Sequence, residues 1–232
     1  MKDLTKLYLF VFLLFVFSGV SAQTRYQQFT VGGGAGATTA YAGADLPKTN
    51  AAFYADIGYY PFSVFNIELE GQSGTLSGVS ALNSRSLKNF NNNYKAVIVD
   101  ANLYLGVYFD AQKNQFLNVI KNFYGGVGYG IIAGSINNVE IPITGNVNHV
   151  NNTLKIIPFK AGYEYDLLRN SYNEPLLKID VSARLNYVMG QGLDGYYDSY
   201  AKAHSFYAFY NVGIKYTFII HSTYGKSYNK FD

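Results

Sequence analysis

The chain is 232 residues long, carries a formal charge of +3, and only 14% of its residues are charged. Its 0 Cys exclude a disulfide framework, a thiolate metal site, a cysteine nucleophile and a lipid-modified cysteine, and the small net charge gives nucleic acid no footing. With 23 Tyr, 17 Phe and 23 Gly the composition leans instead toward pleated strands, and Tyr can hold its ring among acyl chains while its hydroxyl reaches the headgroups.

Lys2 and Lys6 precede an apolar run from Leu7 to Phe17, and Ser18-Gly19-Val20-Ser21-Ala22 then supplies the small residues of a signal-peptidase site. This reads as a secretory leader over residues 1–22, because the apolar run is shorter than the ~20 residues with which a helix crosses a bilayer. The ~210 residues that remain suit one domain, expected over 23–219, with a short polar tail over 220–232. No later segment has the length and uniformity of a helical span. A membrane location therefore requires a closed barrel, in which every backbone N–H and C=O finds a partner.

Tyr26–Thr38 opens the strands, with Phe29, Val31, Gly33, Ala35 and Ala37 on one face and Gln28, Thr30, Gly32, Gly34 and Gly36 on the other. The glycines let the strand bend and leave room for bulky neighbours; a phosphate loop is excluded, since neither a Lys-Ser/Thr ending nor a helix follows. After an expected loop at 43–50, Phe53–Tyr60 alternates until Pro61 stops it. Phe65, Ile67 and Leu69 against Asn66, Glu68, Glu70 and Gln72 then give the second arm of a tight hairpin. The polar, Asn-rich stretch 73–93 reads as a long loop.

Tyr94–Phe109 shows the clearest alternation, Val97, Val99, Ala101 and Leu103 opposing Asp100, Asn102 and Tyr104. Residues 110–122 carry Phe116, Leu117, Val119 and Ile120 at the spacing of a short amphipathic helix. Phe123–Ile136 is glycine-rich, a loop is expected at 137–152, and Thr153–Leu168 sets Ile157, Phe159, Ala161, Tyr163 and Tyr165 against Lys160, Gly162, Glu164 and Asp166. A turn at 169–175 leads to Leu176–Met189, where Leu177, Ile179, Val181, Ala183 and Leu185 oppose Lys178, Asp180, Ser182, Arg184 and Asn186. Beyond an expected loop at 190–204 comes Ser205–Ile219. Its Phe206, Ala208, Tyr210, Val212, Ile214, Tyr216 and Phe218 alternate with Ser205, Asn211, Gly213, Lys215 and Thr217, and only Tyr207 and Phe209 break the pattern. Eight strands, most with the ~9–11 residues of a tilted span, and connections alternately short and long predict an all-β fold. The expected architecture is an eight-stranded antiparallel up-and-down transmembrane β-barrel.

With the apolar parity toward lipid, Asp56, Glu68, Glu70, Asp100, Glu164, Asp166 and Asp180 share the lumen with Lys160, Lys178, Arg184 and Lys215. An eight-stranded barrel is just wide enough for side chains to fill, and unpaired charges there are costly, so an interleaved ion-pair network is expected. That makes a plug and not a pore. Glu68 and Glu70, two apart on one face, are also placed to act as a catalytic carboxylate pair or on an ion path, but the nearby Lys and Arg give them a simpler role as counter-ions. His149, His204 and His221 lack metal-binding spacing, so neither metal nor cofactor is expected. His204 and Ser205 would suit lipid-modifying chemistry at a rim, yet adjacent strand residues point to opposite faces.

Asn211-Val212-Gly213-Ile214-Lys215-Tyr216-Thr217-Phe218 resembles the terminal-strand signal of bacterial outer-membrane β-barrels. Asn211 matches its polar position, Gly213 its glycine, and Tyr216 and Phe218 its paired aromatics; the chain departs from the pattern by running on beyond Phe218. The resemblance implies that barrel-assembly machinery reads this strand during insertion. From residue 23 onward the chain resembles the small eight-stranded barrels of the OmpA/OmpX type, particularly the Tyr- and Gly-rich versions of Bacteroidota. That implies an outer-membrane location in contact with lipid, no enzymatic activity, and a structural, adhesive or accessory role, the last within a secretion or gliding complex, through outer loops or the periplasmic face. Two alternatives stand beside it: a secreted lipocalin-like barrel binding a hydrophobic ligand, with its apolar parity inward, and an outer-membrane lipid-modifying enzyme.

Overall fold

Period-two alternation can serve a sandwich, an open sheet or a ring, and the pairing of the first strand with the last decides among them. A computed structural model of the chain describes residues 26–41, 46–62, 64–79, 87–107, 115–141, 147–171, 174–190, 192–194 and 205–221. The strands are β1 (Tyr26–Tyr41), β2 (Leu46–Phe62), β3 (Phe65–Val79), β4 (Leu87–Tyr104), β5 (Phe123–Ile141), β6 (Val147–Arg169), β7 (Pro175–Met189) and β8 (Ser205–His221). Each pairs antiparallel with its neighbours in the chain, and β8 pairs back onto β1, Phe218 opposite Phe29 and Tyr210 opposite Ala37. The sheet is a closed barrel with no free edge.

Glycines let the ring close around its contents. At Gly34 a Cβ would stand 2.5 Å from the Gly213 Cα of β8 and 2.8 Å from the Tyr54 ring, which reaches over from β2. At Gly32 it would meet the Asp56 carboxylate and the Lys215 stem, 2.6 and 2.7 Å away. Where β7 ends, Gly190 takes a φ of 115°, a conformation open to glycine that turns the chain out of the sheet.

Several elements differ in extent from the sequence reading. The stretch 73–93 is mostly strand: Thr75 pairs with Asn93 and Gly78 with Phe90, leaving 80–86 between β3 and β4. Residues 46–50 belong to β2, and 137–141 and 147–152 belong to β5 and β6, so His149 lies on a strand opposite Asn137. At the other rim β4 stops at Tyr104, where Leu105–Val107 form a 3-10 turn, and the short helix lies at α1 (Gln115–Ile120). The last strand runs to His221, taking in Ile220 and His221 that the sequence reading gave to the tail. The leader, most of the loop before β8 with His204, and residues 222–232 lie outside the described residues.

The reason for the longer strands is a reversal of polarity along the barrel. In the half where β1 begins and β8 ends the wall is apolar outside and charged inside: on β4, Val97, Val99 and Leu103 are exposed while Asp100 and Asn102 are buried. Toward the opposite rim the same strand turns over, with Asn91 and Asn93 exposed and Phe90, Ala96 and Ile98 buried. β3 does likewise, Leu69 and Ile67 giving way outside to Ser73, Thr75 and Ser77 while Glu68 and Glu70 give way inside to Leu76. In β5, Val127 and Ile131 outside yield to Ser135, with Ile132 and Ile136 inside; in β6, Phe159 yields to Thr153 and Asn151, with Ile156 inside. Alternation persists through the reversal. The face that is apolar changes.

Candidate functional site

The lumen stacks three layers, each built by the inward parity of several strands. Nearest the terminal rim, Tyr60, Tyr104 and Tyr124 converge from β2, β4 and β5. The Tyr60 and Tyr104 hydroxyls lie 2.9 Å apart and both donate to Glu164 of β6, at 3.1 and 2.8 Å. Lys178 of β7 donates to the same carboxylate at 2.7 Å, with its ammonium 5.1 Å from the centre of the Tyr60 ring. A vestibule of about 300 Å³ opens at this rim and ends on Tyr60, Tyr104 and Glu164.

The middle layer is ionic. Arg184 of β7 donates two bonds to Glu70 of β3, at 2.8 and 2.7 Å, and a third to Asp100 of β4 at 2.6 Å. Such a fork geometry suits guanidinium in a way ammonium cannot match. Lys160 of β6 bonds Glu68 and reaches Glu70 at 3.5 Å, while Lys215 of β8 lies 2.8 Å from Glu68, 3.3 Å from Glu164 and 3.5 Å from Asp180. Asp180 also accepts from the Tyr124 hydroxyl at 2.8 Å, and Gln72 donates to Glu70 at 2.7 Å. The ion pairs alone join five strands across the lumen, β3, β4, β6, β7 and β8, and every one of these charged side chains is buried.

Above it the lumen becomes apolar. Tyr54 and Phe209 meet edge to face at 6.0 Å, Tyr94 packs on Tyr207, and Leu76, Phe90, Ile98, Ile132, Ile156 and Val188 complete a cluster with Leu193. Tyr207 and Phe209, the two residues that break the alternation of β8, are both 0% exposed and belong to this filling.

Nine of the eleven residues expected in a lumen network are brought together: Glu68, Glu70, Asp100, Lys160, Glu164, Lys178, Asp180, Arg184 and Lys215. Asp56 and Asp166 are not. Asp56 is 2% exposed and faces the lumen, but neither carboxylate oxygen has a hydrogen-bond partner among the described residues. Asp166 sits at the rim, only half-buried, and pairs with Arg169 of its own strand at 2.6 Å. Asp166 lies too near the rim to reach the network, whereas Asp56 stands opposite Glu70, level with the ionic layer, and the Lys215 ammonium across Gly32 from it is bonded to Glu68 instead.

The tyrosine collar was missed at the sequence level; its trace there is that Tyr60, Tyr104 and Tyr124 fall on the charged parity. Glu68, Glu70 and Asp100 bring carboxylate oxygens within 4.8 Å of one another, a spacing that a cation could bridge, but Lys160 and Arg184 already stand among them. Glu68 and Glu70 are both 0% exposed and bound to those cations, so no substrate reaches them as a catalytic pair.

In β8, Asn211 faces inward and accepts from the Ser182 hydroxyl at 3.0 Å. Gly213 lies under Tyr54, whose ring carbon would be 2.9 Å from any Cβ there. Tyr216 and Phe218 point outward, ring centroids 4.8 Å apart, on the exposed face near the terminal rim.

No protein-family model and no curated protein matches the chain. Among solved structures it is similar to Neisserial surface protein A, at 13% identity over 82% of this chain and 97% of that one, with a TM-score of 0.48. It is similar also to Ail, the attachment invasion locus protein of Yersinia pestis, at 13% identity over 83% and 99% with a TM-score of 0.46. A third is the outer membrane protein OprG of Pseudomonas aeruginosa, at 9% identity over 84% and 97% with a TM-score of 0.38.

Proposed function

We propose that the chain is a non-enzymatic outer-membrane β-barrel protein, exported by its leader and inserted by barrel-assembly machinery that reads the Asn211, Gly213, Tyr216 and Phe218 strand. The observation that carries this reading is the wall itself. Val31, Ile57, Leu69, Val99, Val127, Val181, Val212 and Ile214 are each roughly half exposed on the outside, while the inside of the same stretch holds the ionic layer. In water that arrangement exposes apolar surface on every strand and buries charges, the reverse of what the hydrophobic effect selects; in a bilayer it is the favourable one. A lipocalin-like barrel needs an apolar lumen throughout, and this lumen is apolar only beyond the reversal.

The role proposed is structural support and surface contact. A lumen filled by tyrosines, ion pairs and an apolar cluster offers no open route, and the polar segment of wall beyond the reversal stands clear of lipid, where adhesive contacts or an accessory place in a secretion or gliding complex belong. Cell fractionation with heat-modifiable electrophoresis tests the assignment. The protein is expected in the outer membrane, in a form that migrates faster unboiled than boiled. Recovery of processed chain in the soluble fraction without detergent sinks it.

A further inference from the structure

The level at which the wall reverses polarity is also where its outward charges sit. Among the described residues, Lys95 of β4 and Lys155 of β6 are the charged side chains that face outward between the two rims; no carboxylate faces outward there. Each marks the boundary on its strand. Below Lys95 the outside reads Val97 and Val99, and beyond it Asn93 and Asn91; below Lys155 it reads Ile157 and Phe159, and beyond it Thr153 and Asn151.

Beside Lys95 the surface is hollow. Phe53, Ser73 and Lys95 stand in one row across β2, β3 and β4, Phe53 opposite Ser73 and Ser73 opposite Lys95. Small neighbours leave a groove of about 340 Å³ on this outer wall between the Phe53 ring, 63% exposed, and the Lys95 stem. Ala51, Thr75 and Asn93 line the groove on its polar side, and Phe53, Ser73 and Lys95 form the edge that meets the apolar wall, where the Lys95 ammonium has no ion-pair partner among the described residues.

We propose that this groove is a binding site for an anionic membrane lipid, its phosphate held by Lys95 and Ser73 and an acyl chain lying on Phe53 toward the apolar wall. The proposal rests on the membrane reading above. Charge complementarity selects the occupant: an ammonium at the headgroup level with no facing carboxylate attracts phosphate, and Lys155 at the matching boundary two strands away adds to the same field. A zwitterionic lipid, whose own cation competes, gains far less.

Because the chain has 0 Trp, Phe53→Trp and, on the β8 wall, Ile214→Trp each create a single reporter. Both are reconstituted in mixed phosphatidylcholine and phosphatidylglycerol vesicles in which one lipid or the other carries brominated chains. At position 53 brominated phosphatidylglycerol is expected to associate about fivefold more strongly than brominated phosphatidylcholine, against no preference at position 214. Lys95→Ala is expected to remove the preference, Lys95→Arg to keep it, and molar salt to screen it. Equal preference at the two positions, or a preference that survives Lys95→Ala, overturns the site while leaving the barrel in its membrane. Absence of quenching by either lipid at both positions overturns the membrane reading, and the site with it.

Discussion

Arg184 is gripped by carboxylates of β3 and β4 although it projects from β7, and its guanidinium is one of the points at which the far walls of the barrel are joined. Truncating it to Ala leaves Glu70 and Asp100 buried beside Lys160 alone, and breaking a buried pair in this way costs about 3–5 kcal/mol. Urea unfolding of the vesicle-inserted protein reads that loss. Asp56→Asn is expected to behave oppositely. In the strands, the buried carboxylates Asp56, Glu68, Glu70, Asp100, Glu164 and Asp180 outnumber the buried cations Lys160, Lys178, Arg184 and Lys215, and Asp56 is the one with no hydrogen bond to either oxygen. Removing its charge relieves the cost of holding an unbonded carboxylate away from water and breaks no hydrogen bond, so the same titration is expected to show stability unchanged or raised, by up to about 1 kcal/mol. A marked loss would mean that Asp56 has a partner the geometry does not supply.

Glycines act differently on the two faces of a strand. Gly34 faces inward under Tyr54 and against β8, so Gly34→Val drives a branched side chain into the closing seam. Gly125 faces outward, and a Cβ there meets nothing nearer than a carbonyl oxygen at 4.0 Å. Refolding into vesicles followed by electrophoresis is expected to show the fast-migrating form nearly abolished for Gly34→Val and unchanged for Gly125→Ala. These elements also show how far the sequence could be read. Alternation placed eight strands and the parity of almost every charged residue, because period two is a local property of the chain. Strand ends were misjudged at 73–79, 87–93, 137–141 and 147–152, where an Asn-rich run looks like loop although its ladder continues. That Asp56 is left without a hydrogen bond and that Asp166 pairs at the rim were beyond reach for another reason: which lumen groups meet depends on register between strands and height along the axis, and neither is written in one strand's pattern. The Tyr207 and Phe209 exceptions were visible, but their meaning needed the apolar upper lumen.

For the molecule as a whole, the reversal of polarity fixes, on the proposed membrane reading, where the barrel would sit relative to the bilayer. Val99 lies within the apolar stretch of β4 and Asn91 beyond the reversal, both facing outward. An arginine at the first position is expected to cost about 2–4 kcal/mol and at the second about 0–1, since the penalty on a lipid-facing wall follows depth. Urea titration of Val99→Arg and Asn91→Arg in vesicles measures the difference, and equal costs would show that the reversal does not mark the edge of the hydrocarbon. The pairing of Tyr26 with His221 has its own result. Seven of the eight ladders join strands that follow one another along the chain, whereas this one joins the two most distant in sequence and so carries the largest cost of loop closure. Once sealed it has no first strand: the order of the polypeptide survives only as the place where a continuous band happens to be unbuttoned.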